Sequence, residues 1–200
     1  MYYIYILVSK YIVVSGLVFL LLLAFATADS KLFVKSTNPK DYLLLGNTFY
    51  EKNKQVAKEL YEKGLEYDRN DPDLLNNLGF YERDGGDLAK AEEYWNQALA
   101  VAPNHKEVRE NLAKLYNLQG RYEEAAEQLQ ALVESDDGNP SYHYDLAVNQ
   151  VELIRGKGYD LFDSAIAHFE RADELSPGYE HAEENVGVLK KIMDNLVVSP

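Results

Sequence analysis

The segment LNNLGFYERDGGDLAKAEEYWNQALAVAP, residues 75–103, decides the fold. Leu75, Leu78 and Gly79 stand at helical spacing, the cluster Asp84-Gly85-Gly86-Asp87 breaks the pattern, and Ala91, Trp95 and Ala98 resume it up to Pro103. This pattern predicts two amphipathic helices joined by a tight turn. Small residues such as Gly79 and Ala91 let two backbones come close while Leu78 and Trp95 fill the space between them, so the helices pack as an antiparallel pair.

The same unit recurs along the chain. Leu45-Gly46, Leu78-Gly79, Leu112-Ala113 and Leu146-Ala147 lie 33, 34 and 34 residues apart. Ala57, Ala91, Ala125 and Ala165 follow at 34, 34 and 40, each with a bulky side chain four residues on: Tyr61, Trp95, Leu129 and Phe169. Gly64, Ala98, Leu132 and Ala172 keep the same steps. Three position classes sharing one period predict stacked helical hairpins, since one hairpin alone cannot bury its apolar face. Asn38-Pro39, Asp71-Pro72 and Asn139-Pro140 mark helix starts, each a capping side chain followed by a proline tolerated at the first helical position.

Residues 39–177 resemble four tetratricopeptide repeats, with the second matching best through Leu75, Leu78-Gly79, Ala91, Trp95, Ala98 and Pro103. The resemblance implies an all-α, right-handed solenoid of four hairpins, with repeats over about 39–71, 72–105, 106–139 and 140–179, closed by a capping helix over 180–196. Departures are local. The aromatic expected one turn after the Leu-Gly pair is present as Phe49 and Tyr116 but is replaced by Glu82 and Gln150. The fourth repeat carries six extra residues within 154–161, which would present Arg155, Lys157 and Tyr159 at the tip of the hairpin or simply lengthen a helix.

Members of this family are usually binding modules whose first helices line a concave groove. By position, the groove-facing candidates are Leu43, Asn47 and Tyr50, then Asp73, Asn76, Asn77, Phe80 and Arg83. In the later repeats they are Glu107, Glu110, Asn111, Lys114, Asn117, Tyr144 and Val148. Asn77 and Asn111 are the sharpest, because an amide can both donate to and accept from a peptide backbone. The subset of the family that clamps acidic tails of heat-shock chaperones uses basic groove residues where this chain has Leu43, Glu107 and Asn111, which argues against that ligand. Asp73, Glu107 and Glu110 favour a neutral or basic partner segment.

Composition narrows the function further. The formal net charge of -13, from 33 acidic against 20 basic residues, opposes binding to nucleic-acid phosphates. With no cysteine, thiolate zinc sites and cysteine nucleophiles are excluded. His105, His143, His168 and His181 show no paired metal spacing, and Gly156-Lys157-Gly158 lacks the first glycine of a phosphate loop. No cofactor or metal is expected. The sequence therefore points to a non-catalytic interaction scaffold, with an oligomerising structural subunit and an enzyme built across helices as the other classes.

Residues 1–28 differ from all that follows. Tyr11 to Ala28 contains no charge, about the minimum length for a membrane-spanning helix, so a hydrophobic N-terminal helix is expected, joined by a linker over 29–38. Ala26-Thr27-Ala28 has the small-x-small form of a signal-peptide cleavage site, which favours export. Lys31, Lys35 and Lys40 outnumber Lys10, which favours a cytoplasmic downstream part. The expectation is a membrane-anchored chain or a secreted or periplasmic one, with the side of the membrane open.

Overall fold

The computed structural model describes residues 6–7, 34–157 and 161–197, with side chains over 36–154 and 161–195. The hydrophobic helix, the cleavage motif and the first half of the linker expected over 29–38 lie outside the described residues. Ahead of that linker, β1 (Ile6–Leu7) is described and pairs in parallel with β2 (Val34–Lys35), Ile6 opposite Val34. From Pro39 onward the described residues form helices and turns. Among the described residues no helix is long and apolar enough to cross a membrane.

The chain divides into two compact units, residues 1–74 and 75–200. In the first, α1 (Pro39–Tyr50) and α2 (Lys54–Leu65) form one hairpin. Asn38 caps α1 by accepting from the Lys40 amide at 3.2 Å, and Asn53 caps α2 by accepting from Val56 at 3.2 Å. Gly46 is the point of closest approach: a Cβ there would lie 2.8 Å from Cζ of Tyr61, so any side chain would force the hairpin apart. The unit ends in the first turn of α3 (Pro72–Gly85), where Asp71 Oδ1 accepts from the amides of Asp73 and Leu74, each at 3.0 Å.

The second unit runs from the rest of α3 through α4 (Leu88–Val101), α5 (Lys106–Leu118), α6 (Tyr122–Ser135), α7 (Pro140–Lys157) and α8 (Phe162–Leu175) to α9 (Ala182–Val197). Gly86 at φ +87° and Gly120 at φ +70° supply the left-handed residues that turn the chain after α3 and after α5. Asp87 caps α4 through the Lys90 amide at 3.1 Å. Each period is thus an antiparallel pair, as the spacing predicts.

Trp95 is fully buried against Gly79 and donates its indole N–H to the carbonyl of Asn76 at 3.2 Å. Leu129, Leu132, Val133, Tyr142 and Leu146 make one core between α6 and α7, and Phe162, Ile166, Phe169, Val186 and Leu189 make another between α8 and α9. The extra residues of the last hairpin extend α7 to 18 residues, against 14 for α3 and 13 for α5. The side chains of Arg155, Lys157 and Tyr159 lie outside the described residues.

Candidate functional site

Within the second unit, α3, α5 and α7 are the first helices of successive hairpins, and their shared face holds most of the sequence candidates. Its backbone is a chain of cross-repeat hydrogen bonds. Asn111 Nδ2 donates to Asn76 Oδ1 at 3.0 Å, and Asn76 Nδ2 donates to Glu107 Oε2 at 3.3 Å. Asn76 is 3% exposed and Asn111 6%, so both amides are committed within the protein and hold α3 to α5 instead of facing a ligand. That is the physical difference from the groove-facing role expected of them. An amide such as Asn76, with its oxygen paired to Asn111 and its nitrogen to Glu107, can lose water at little cost.

One repeat further on, Tyr142 donates its hydroxyl hydrogen to Glu110 Oε1 at 2.6 Å, joining α7 to α5. Burial first, then the Glu110 carboxylate, pushes the Tyr142 hydroxyl up to about 12. Tyr144 sits edge-on to Phe169 and Tyr179, at 5.3 and 5.7 Å between ring centres, and its hydroxyl accepts from Asn185 of α9 at 3.4 Å. Asp145 occupies the place in α7 that Asn111 occupies in α5. Burial raises its pKa, against the pull of Lys114 and a bond from Ser141, with Glu180 and Glu110 raising it further.

The remaining candidates fall into three groups. Asp73, Glu107, Lys114 and Val148 are exposed, and Asn77, Asn117 and Glu110 are half-buried. Phe80 packs edge-on to Trp95 at 5.9 Å, and Arg83 lies over the Phe80 ring at 4.6 Å while pairing with Asp84 at 2.9 Å. Leu43, Asn47 and Tyr50 belong to the first unit, where Asn47 Oδ1 accepts from Tyr61 at 2.8 Å. Tyr142 and Asp145 were not among the sequence candidates, although Asp145 follows Asn111 by one period and could have been found that way.

Among the described residues no group of three or more His, Asp or Glu could hold a metal ion. The face offers amides, carboxylates, one ammonium and aromatic edges, groups capable of hydrogen bonding and apolar contact.

The tetratricopeptide repeat family model matches residues 77–140. Protein O-mannosyl-transferase TMTC1 of Mus musculus is 31% identical over 97 residues, covering 44% of this chain and 10% of that protein. Tetratricopeptide repeat protein 36 of Danio rerio is 29% identical over 125 residues, covering 60% of this chain and 65% of that protein. The chain therefore spans about a tenth of the first relative and less than two thirds of the second. The solved structure of MamA from Desulfovibrio magneticus RS-1 superposes with a TM-score of 0.65 at 17% identity, over 80% of this chain and 88% of that one. The family match identifies tetratricopeptide repeat sequence over residues 77–140, and the likeness to MamA over four-fifths of the chain shows a shared helical fold.

Proposed function

We propose that the chain is a non-catalytic scaffold that binds another protein through the face of α3, α5 and α7, at or beyond a membrane. The observation that carries this reading is the division of labour on that face. Asn76, Asn111, Tyr142 and Tyr144 bond the helices to one another, while Glu107, Lys114 and Val148 remain exposed beside them. A platform locked by its own hydrogen bonds loses little entropy when a ligand settles on it. The chain's net charge of -13 selects a neutral or basic segment, as an extended peptide or a helix. The uncharged stretch over 11–28 supports a membrane anchor or an export signal, and intact mass with membrane fractionation distinguishes the two.

The test of the face is a triple variant, Lys114→Glu, Asn117→Ala and Val148→Asp, made at positions that carry none of the cross-repeat bonds described above. The proteins retained by the full chain from its native host should bind the variant at least about tenfold more weakly, the effect of losing about 1.4 kcal/mol. Equal retention by a variant with an unchanged circular-dichroism melt would overturn the proposed face.

A further inference from the structure

The residue four positions after the Leu-Gly or Leu-Ala pair is aromatic in the first and third hairpins, Phe49 and Tyr116, and polar in the second and fourth, Glu82 and Gln150. All four are buried. The second hairpin satisfies its polar side chain with a cation from the following helix, Lys90 Nζ lying 2.9 Å from Glu82 Oε1. In the fourth hairpin the residue before the buried alanine, where Lys90 stands in the second, is Ser164. Its hydroxyl accepts from Gln150 Nε2 at 2.9 Å, and Gln150 Oε1 is left buried with no donor. An acceptor that has lost water and gained no partner is destabilising until a donor is supplied.

Beside Gln150 the surface is hollowed into an open depression of about 550 Å³, with Leu146, Leu153 and Leu161 on one side and Ala126 and Gln130 of α6 on the other. In the third hairpin Tyr116 fills the equivalent position, and its ring carries the guanidinium of Arg121 at 4.3 Å. The rim of the depression adds the exposed carboxylates of Glu127 and Glu134. Leu146 and Gln150 follow Tyr144 and Val148 by two residues, about 200° around the helix, so the depression is on the side of α7 away from the face described above.

We propose that this vacated aromatic slot takes an arginine side chain from a partner protein. An arginine brings an apolar stem to lie along the leucines and a planar guanidinium with five donors, shaped for a slot that elsewhere holds a ring. Turning the Gln150 amide about its last torsion gives up its bond to Ser164 Oγ, and the bonds that Oε1 then accepts from the guanidinium replace it, while Glu127 and Glu134 meet the charge. A tyrosine brings no charge to an acidic rim, and the compact, strongly hydrated ammonium of lysine does not fill the slot. The site is separate from the proposed partner-binding face and stands or falls independently of it.

The experiment is a titration of the isotope-labelled full chain with N-acetyl-Leu-Arg-Leu amide and with its citrulline counterpart, which keeps the planar shape without the charge. Saturable shifts of the Gln150 side-chain amide and of Leu153 are expected, with the citrulline peptide at least tenfold weaker. Gln150→Tyr, which refills the slot as Tyr116 does, should abolish the binding, and Lys114→Glu on the other face should leave it intact. Should Gln150→Tyr disturb folding, the exposed double variant Glu127→Lys with Glu134→Lys replaces it, with at least a threefold loss expected. Equal affinity for the two peptides, unchanged binding by the folded slot or rim variant, or shifts confined to the Lys114 and Val148 face would overturn the proposal.

Discussion

Trp95 lies against Gly79 so closely that a Cβ on the glycine would stand 2.6 Å from Cδ1 of the indole, which is also tied to the Asn76 carbonyl at 3.2 Å. The ring is thus held on one edge by a hydrogen bond and on its face by the absence of a side chain. Gly79→Ala should therefore destabilise the second unit even though alanine is the better helix former. Overpacking of this kind costs about 1–3 kcal/mol, against less than about 1 kcal/mol returned by helix propensity. Urea denaturation checks this, and a midpoint equal to or above that of the unaltered chain would refute it.

His143 of α7 and His168 of α8 face each other with their Nδ1 atoms 3.0 Å apart, while His143 Nε2 lies 3.1 Å from the Asp137 carbonyl oxygen. One imidazole must donate and the other accept, so the facing nitrogens cannot both carry a proton. Burial first and then the His143 charge lower the His168 pKa, with Asp137 opposing them. A base whose folded pKa is depressed contributes stability that is complete above its unfolded value, near 6.5, and is lost as pH falls through the folded value. The unfolding midpoint should drop between pH 7.5 and pH 5, and His168→Phe should flatten that part of the profile. An unaltered pH profile in the variant would sink the assignment.

Asp145 carries the opposite sign. Its folded pKa is raised, chiefly by burial, so its contribution to stability is complete only below its unfolded value, near 4, and is lost as pH rises through the folded value. At pH 7 the ionised carboxylate is a cost. Asp145→Asn should raise the melting temperature at pH 7 by about 2–4 °C, with the gain shrinking toward pH 4, a size typical of removing one unfavourable charge. A lower melting temperature at pH 7 would show that the attraction of Lys114 outweighs the burial.

Arg121 precedes α6 and grips α4: Nη1 and Nη2 meet the two oxygens of Glu92 at 2.7 and 3.0 Å, Nε meets Glu124 at 2.9 Å, and the guanidinium covers the Tyr116 ring. The bidentate geometry and ring contact make it stronger than an ordinary surface pair, but solvent reaches it. Arg121→Ala should cost about 1 kcal/mol at low salt, and Arg121→Lys should recover only part of it because an ammonium cannot fork. Full recovery by lysine in a thermal melt would contradict this.

The fold was legible in the sequence because its determinants are local and repeated. The Leu-Gly pairs, the buried alanines and the Asn-Pro and Asp-Pro starts recur at one period, and capping at Asn38 and Asp71 depends on residues two or three positions away. The candidate face was legible as a face but not in detail. Asn111 occupies the expected helix position, yet its hydrogen-bond partner, Asn76, is 35 residues earlier, and only the packing decides that the two amides meet each other. Gln150 was recognisable as a departure from the aromatic pattern. Whether the space would be filled or left open depended on Ala126, Gln130 and Ser164, which belong to two other helices.

In the second unit the principal contacts join α4 to α5, α5 to α6, α6 to α7, α7 to α8 and α8 to α9, each helix resting on the one made just before it. A chain with such short-range contacts has no need to wait for distant segments before closing its core. As it leaves the ribosome, each helix of this unit can dock on a surface already in place, which shortens the time its apolar side stays uncovered.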